Sequence, residues 1–279
     1  MAGLLRGDNM IEIKNLSKSY QRGGSKAVDS LNLEIRDGEI FGLLGPNGAG
    51  KTTTLKMITG ILNPDEGDIT ISGHSILTDA LEAKKCFAFV PDDPNAFLRL
   101  TGIEYLRFIG DIYEVPKAQR EERIKRLSES FALDKALADR LSSYSHGMRQ
   151  KIVLLGALLQ NPPCWILDEP MTGLDPKSSF LLKEMMREHT LQGKSVLFST
   201  HVLEVAEKVC DRVGIIANGR LLFCGTVDEM KAQFQEERSL EEMFLELTGE
   251  MAEFSENAES QFMTEYKSSE HLSNEEGGR

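Results

Sequence analysis

The sequence predicts an α/β fold: a mixed sheet carrying a glycine-rich turn, an antiparallel sheet formed by the N-terminal strands, and an α-helical subdomain inserted near residues 92–160. Three observations predict it. Apolar runs too short for helices, at residues 40–44, 86–90, 165–167 and 194–199, read as buried strands. Alternating stretches at 10–20 and 28–35 read as half-exposed strands that precede the glycine turn. Helical spacing over 101–113 and 117–131 then interrupts the strand pattern, just after the rigid turn Pro91-Asp92-Asp93-Pro94. With 279 residues and 41% hydrophobic content, the chain can bury a large core.

The first strand opens with Ile11-Glu12-Ile13-Lys14 and ends at Tyr20, whose ring can stack on a base or simply pack. A turn over 21–25 leads to the second strand. The buried run Ile40-Phe41-Gly42-Leu43-Leu44 then delivers Gly45-Pro46-Asn47-Gly48-Ala49-Gly50-Lys51-Thr52-Thr53, followed by helical spacing over 52–61. Strand, glycine loop and helix in this order make a phosphate cradle. Gly45, Gly48 and Gly50 let successive N–H groups turn inward, and the positive end of the helix reinforces them. Lys51 supplies a point charge for the outer phosphates, Thr52 a hydroxyl for Mg2+, and Thr53 one more donor.

A turn at 63–67 and a short strand at 67–73 come next. Between residues 141 and 160, Ser142-Ser143-Tyr144-Ser145-His146-Gly147-Met148-Arg149-Gln150 leads into an apolar helix over 152–159, with Ser145 as its cap. The strand Trp165-Ile166-Leu167 ends in Asp168-Glu169-Pro170: Asp168 is placed to hold Mg2+, and Glu169 to orient an attacking water. Gly173-Leu174-Asp175 precedes a helix over 176–189 with Pro176 in its first turn. The strand at 194–199 ends at Thr200-His201, where His201 begins a helix and can reach a terminal phosphate. Strands 213–217 and 220–223, joined by Asn218-Gly219, close the sheet as a hairpin.

Charge and cysteine usage narrow the function. A net charge of −12 argues against nucleic acid as a partner. Cys86, Cys164, Cys210 and Cys224 are too far apart in sequence for a zinc motif and read as reduced thiols. No apolar run approaches the roughly 20 residues that span a bilayer, and residues 1–9 lack the apolar core of a secretion signal. The expected location is the cytoplasm.

Five motifs now stand in order: the cradle, Ser145-His146-Gly147-Met148-Arg149-Gln150, Ile166-Leu167-Asp168-Glu169-Pro170, Gly173-Leu174-Asp175 and Ser199-Thr200-His201. The set resembles the ATP-binding subunit of ABC transporters, over roughly residues 10–249, and so implies a P-loop NTPase fold of ABC type. The resemblance implies that Tyr20 stacks on adenine, that Gly45 to Thr53 form the Walker A loop, that Asp168 and Glu169 are the Walker B pair, and that His201 is the switch histidine. It implies ATP and Mg2+ as cofactors. Ser145, Gly147 and Met148 fall in the family signature, which completes the ATP site of an opposing subunit, so the expected partners are a second ATP-binding subunit and a membrane permease.

Two departures from the family pattern stand out. Asp92 or Asp93 occupies the place of the usual glutamine, where Asp92 can still contact Mg2+ or water. His146 replaces the first signature glycine, and Met148 the glutamine. The variant signature and the ending Ser239-Leu240-Glu241-Glu242-Met243-Phe244 look more like bacterial export-type systems than nutrient importers.

The expectation is an ATPase that powers transport from the inner face of the membrane, with an ATP-binding domain over 1–237 and an extension over 238–279. From Gly249 onward the chain has eight Glu against Lys267 and Arg279, the composition of a disordered or loosely helical acidic tail. Phe97, Leu98 and Leu100 either receive a cytoplasmic helix of the permease or belong to the core of the helical subdomain. The rival readings are a soluble ABC-type ATPase acting on ribosomes or nucleic acid, and a small-molecule kinase.

Overall fold

The structure is a computed structural model that describes residues 9–21, 24–233 and 239–249. It divides into two units, Met1–Val227 and Asp228–Arg279, where the sequence reading put the division at 237/238. The acidic stretch beyond Gly249 lies outside the described residues.

The first unit holds two sheets. The antiparallel sheet has the order β2-β1-β4-β5, from β1 (Asn9–Ser19), β2 (Lys26–Arg36), β4 (Glu66–Ile71) and the two-residue β5 (His74–Ser75). The larger sheet has the order β10-β9-β3-β8-β7-β6, from β3 (Ile40–Leu44), β6 (Phe87–Val90), β7 (Cys164–Asp168), β8 (Ser195–Thr200), β9 (Arg212–Ala217) and β10 (Arg220–Gly225). All of its pairings are parallel except β9 with β10, whose turn places Asn218 and Gly219 at φ 49° and 76°. Two positive φ values are what a tight two-residue hairpin needs.

The unbroken apolar runs follow from burial on both faces of the large sheet. Successive side chains alternate between two cores. Ile40, Trp165, Leu167, Val196 and Phe198 face the helical side, whereas Phe41, Leu43, Cys164, Ile166 and Leu197 face the antiparallel sheet and the helix after the cradle. One sheet thus anchors both subdomains.

The helices are α1 (Lys51–Ile58), α2 (Ala80–Lys85), α3 (Gly102–Ile112), α4 (Lys117–Ser130), α5 (His146–Gln160), α6 (Pro176–Leu191), α7 (Leu203–Val209), α8 (Val227–Gln233) and α9 (Leu240–Thr248). A capping box of Thr101 and Glu104 starts α3, and Asp175 caps α6 with Pro176 in its first turn. The inserted subdomain is therefore α3, α4 and α5.

Two boundaries differ from the sequence reading. Helix α1 stops at Ile58 rather than running to 61, because Gly60 N–H donates to Met57 O and Ile61 N–H to Lys56 O, closing the last turn and leaving Ile61 exposed. His201 does not begin a helix: α7 starts at Leu203, and Thr200 Oγ1 accepts from Val202 N–H across the intervening bend. No described helix is long and apolar enough to cross a membrane.

Candidate functional site

Strand order makes the site. Because β8 lies between β3 and β7, with Leu44 opposite Thr200 and Asp168 opposite Ser199, the carboxyl ends of three parallel strands open onto one crevice. The cradle leaves β3 there, the two carboxylates leave β7, and His201 follows β8.

Gly50 sits at φ 109°, and a Cβ there would lie 2.4 Å from Ala27 O, so only glycine carries the chain from loop to helix. Lys51 begins α1 and is almost wholly buried. Its ammonium donates to Gly45 O at 2.6 Å and Pro46 O at 3.1 Å, and lies 3.9 Å from Glu169 Oε1. Burial holds its pKa below the usual lysine value, against the pull of Glu169, Asp168 and Asp92.

Asp168 is 1% exposed. Its Oδ1 accepts from Ser199 Oγ at 2.6 Å, while its Oδ2 is buried without any hydrogen-bond partner. Burial raises its pKa, with the Ser199 and Thr52 hydroxyls acting the other way. A buried carboxylate oxygen with no donor, beside a threonine hydroxyl, fits a hard divalent cation such as Mg2+. Asp168 and Thr52 would hold it. Asp92 is exposed on the next loop, near enough to push up the pKa of Asp168.

Glu169 follows at φ 47°, a left-handed conformation that non-glycine residues rarely adopt. Its N–H donates to Ser199 Oγ at 3.0 Å, and its Oε1 lies 3.0 Å from His201 Nδ1. The strained turn aims the carboxylate back across the crevice, at Lys51 and His201. Ser199 was given no role in the sequence reading, yet its one hydroxyl fixes both Asp168 and Glu169. Nothing in β8, which carries hydroxyls at Ser195, Ser199 and Thr200, singles out the middle one.

Tyr20, just past β1, is 64% exposed, and its hydroxyl meets Thr53 Oγ1 at 3.1 Å. It lines a cleft of about 470 Å3 with Gln21, Lys26, Gly48, Asn218 and Gly219. The hairpin turn thus joins the cradle, tied by a Gly219 N–H bond to Ala49 O.

The signature residues form a second cluster. Ser145 Oγ accepts from Met148 N–H and caps α5, and Met148 packs on the core of the helical side. A Cβ on Gly147 would lie 2.6 Å from Gly173 O, and the His146 ring covers Gly173. Lys151 pairs with Asp175 at 2.6 Å. Arg149 donates to Leu141 O, Ser142 O and, at 2.7 Å, Asn95 Oδ1, and Asn95 in turn donates to Asp93. The start of α5 is therefore wired to the Gly173–Asp175 loop and to the turn carrying Asp92 and Asp93.

A profile of the ABC transporter family matches residues 28–172. The ABC-type transporter ATP-binding protein EcsA of Bacillus subtilis is 34% identical over 245 residues, which are 88% of this chain and 98% of that one. The SkfA peptide export ATP-binding protein SkfE of the same organism is 36% identical over 244 residues, 88% of this chain and 99% of its own. A solved ATP-binding subunit of an ABC transporter superposes with a TM-score of 0.81 at 36% identity, covering 86% of this chain and 99% of the other. The chain belongs to the ABC transporter family, as one of its ATP-binding subunits.

Proposed function

We propose that this subunit binds Mg2+-ATP in the crevice at the ends of β3, β7 and β8, hydrolyses it, and passes the resulting motion to a permease. The observation that supports this most directly is the convergence of Lys51, Asp168, Glu169 and His201 on one cradle. Bound Mg2+ would supply charge neutralisation for the phosphates. Lys51 would exchange the carbonyls of Gly45 and Pro46 for phosphate oxygens. Glu169, held by Ser199 and His201, would take a proton from the attacking water, and His201 would steady both Glu169 and the terminal phosphate. Tyr20 would give up its bond to Thr53 and lie against the adenine.

The signature face is exposed at Ser145 and His146 and braced from behind, as suits a surface that meets a second subunit reciprocally. The permease has a candidate seat in a cleft of about 300 Å3 between the sheet and the helical subdomain, lined by Ile61, Phe89, Tyr105, Ile109 and Tyr113 among others. Phe97 lies beside it, half exposed, with its ring tilted against those of Tyr105 at 5.8 Å and Phe108 at 5.4 Å between centroids. Leu98 and Leu100 pack on the subdomain core, which leaves Phe97 as the contact residue. A permease seated there would hold the subunit against the cytoplasmic face of the membrane. Kinship with a peptide export protein favours export as the direction.

Light scattering on the Glu169→Gln variant tests the reading. Mg2+-ATP should double its mass, and ADP should not. A mass unchanged by ATP that is nevertheless bound would overturn the paired-site assignment. Phe97→Asp should abolish recruitment to permease-containing membranes while ATP affinity stays the same.

A further inference from the structure

The cleft beside Tyr20 and Gly48 has one wall that comes from the far end of the chain: the turn between β9 and β10, with Asn218 and Gly219. This turn is fastened from several directions. Gly219 N–H donates to Ala49 O of the cradle at 3.0 Å, and Gly219 O accepts from Asp29 N–H at 2.8 Å. Arg220, the next residue, donates twice to Asp29 Oδ2, at 2.9 Å and 2.7 Å. A Cβ on Gly219 would lie 2.9 Å from Ala27 O, so the turn sits directly on the start of β2. Asn218 stands at φ 49°, a left-handed conformation that asparagine tolerates better than most residues.

The Asn218 side chain is exposed at the cleft, and its carboxamide makes no hydrogen bond among the described residues. The other polar side chains there are differently placed. Lys26 pairs with Asp29 at 3.0 Å and Glu66 at 3.5 Å, and Gln21 and Ser25 lie on the connection between β1 and β2. Asn218 is bonded to the cradle through its immediate neighbour. In a nucleotide the ribose is what separates the base from the phosphates, so a side chain fixed beside the cradle, in the cleft it shares with Tyr20, faces the ribose. The chemistry matches as well. A carboxamide carries an acceptor and two donors, and the 2′- and 3′-hydroxyls each donate and accept. The ring of Tyr20 offers a stacking face, which any base can satisfy.

We propose that Asn218 is the sugar-reading residue of this site. Its carboxamide hydrogen-bonds the 2′- and 3′-hydroxyls of the ribose, and so favours ribonucleotides over their deoxy counterparts. The inference rests on the crevice being a nucleotide site.

The full chain is titrated with the Mg2+ complexes of ADP, 2′-deoxy-ADP, 3′-deoxy-ADP and GDP in equilibrium dialysis; the diphosphates carry the sugar and are not hydrolysed. ADP should bind about two- to tenfold more tightly than either deoxy form. Asn218→Gly keeps a left-handed turn while removing the carboxamide. It should bring ADP down to the level of the deoxy forms, leave those unchanged, and weaken ADP and GDP by the same factor. Equal binding of ADP and both deoxy forms by the unaltered chain would overturn the assignment and leave the nucleotide site standing. Failure of that chain to bind ADP at all would remove the nucleotide site too. If Asn218→Gly weakened ADP and the deoxy forms alike, the residue would be a brace of the turn; if it changed the ADP-to-GDP ratio alone, it would be a reader of the base. Either result would end the sugar-reading role, as would a variant that still prefers ADP.

Discussion

The cradle and the start of α5 are built on opposite principles. Around the cradle, charge is buried and turned inward: Lys51 against the carbonyls of Gly45 and Pro46, Glu169 between His201 and Lys51, and Asp168 with one oxygen left over. At α5, Ser145 and His146 are exposed, and the bracing lies behind them, in Gly147 against Gly173, Lys151 against Asp175 and Arg149 against Asn95. Desolvation strengthens every electrostatic contact in the first region. The second region does little with charge of its own. It is a shaped, rigid surface, and its contribution depends on what is brought to it.

That contrast can be broken by changes on either side. Glu169→Gln should have the largest effect: ATP turnover down by about 10²–10⁴-fold with ATP affinity kept within a few-fold, read by phosphate release and equilibrium binding. Gly147→Ala comes next. Its methyl would fall 2.6 Å from Gly173 O, shifting the start of α5 and lowering turnover by about ten- to a hundredfold, while nucleotide affinity of the isolated chain is untouched. An equal loss of affinity would erase the distinction between the two regions.

Ser199→Ala sharpens the cradle side. The Ser199 hydroxyl holds Asp168 below the pKa that burial alone would impose, so its removal raises that pKa. The acid limb of the pH–rate profile should then move to higher pH, and the Mg2+ requirement should rise severalfold. The smallest effect belongs to Lys151→Ala. The Lys151 ammonium holds the Asp175 carboxyl well below its usual range, so the stability of that pair is present above the ordinary carboxylate pKa and is lost as pH falls through the folded value. With Asp175 partly exposed, the loss at neutral pH should stay below about 1 kcal/mol in thermal melts. Asp175→Asn should flatten the acid slope.

The groups that do chemistry were legible because each terminates a buried strand or starts a helix, and such junctions show in sequence as abrupt changes of pattern. Glycine spacing exposed the cradle, and Asp168-Glu169 stood out at the end of an apolar run. Contacts distant in sequence left no such trace: Arg149 reaches Asn95 across 54 positions, and Asn218 joins the Tyr20 cleft from the far end of the chain. Short elements were also silent, since the six residues of α2 and the two of β5 cannot display a period. Helix α1 was read too long because its apolar spacing continues through Ile61, while the closing turn at Gly60 is a local backbone event that spacing does not register. Leu98 and Leu100 went inside and Phe97 did not, a choice set by tertiary packing.

Glu169 carries a consequence for how this chain tolerates change. Its backbone is left-handed, at a cost of about 1–3 kcal/mol that glycine would escape. A drift to glycine would thus relax the fold while silencing hydrolysis. Selection for stability and selection for activity pull this single position in opposite directions, and the glutamate persists there only as long as the work it performs is needed.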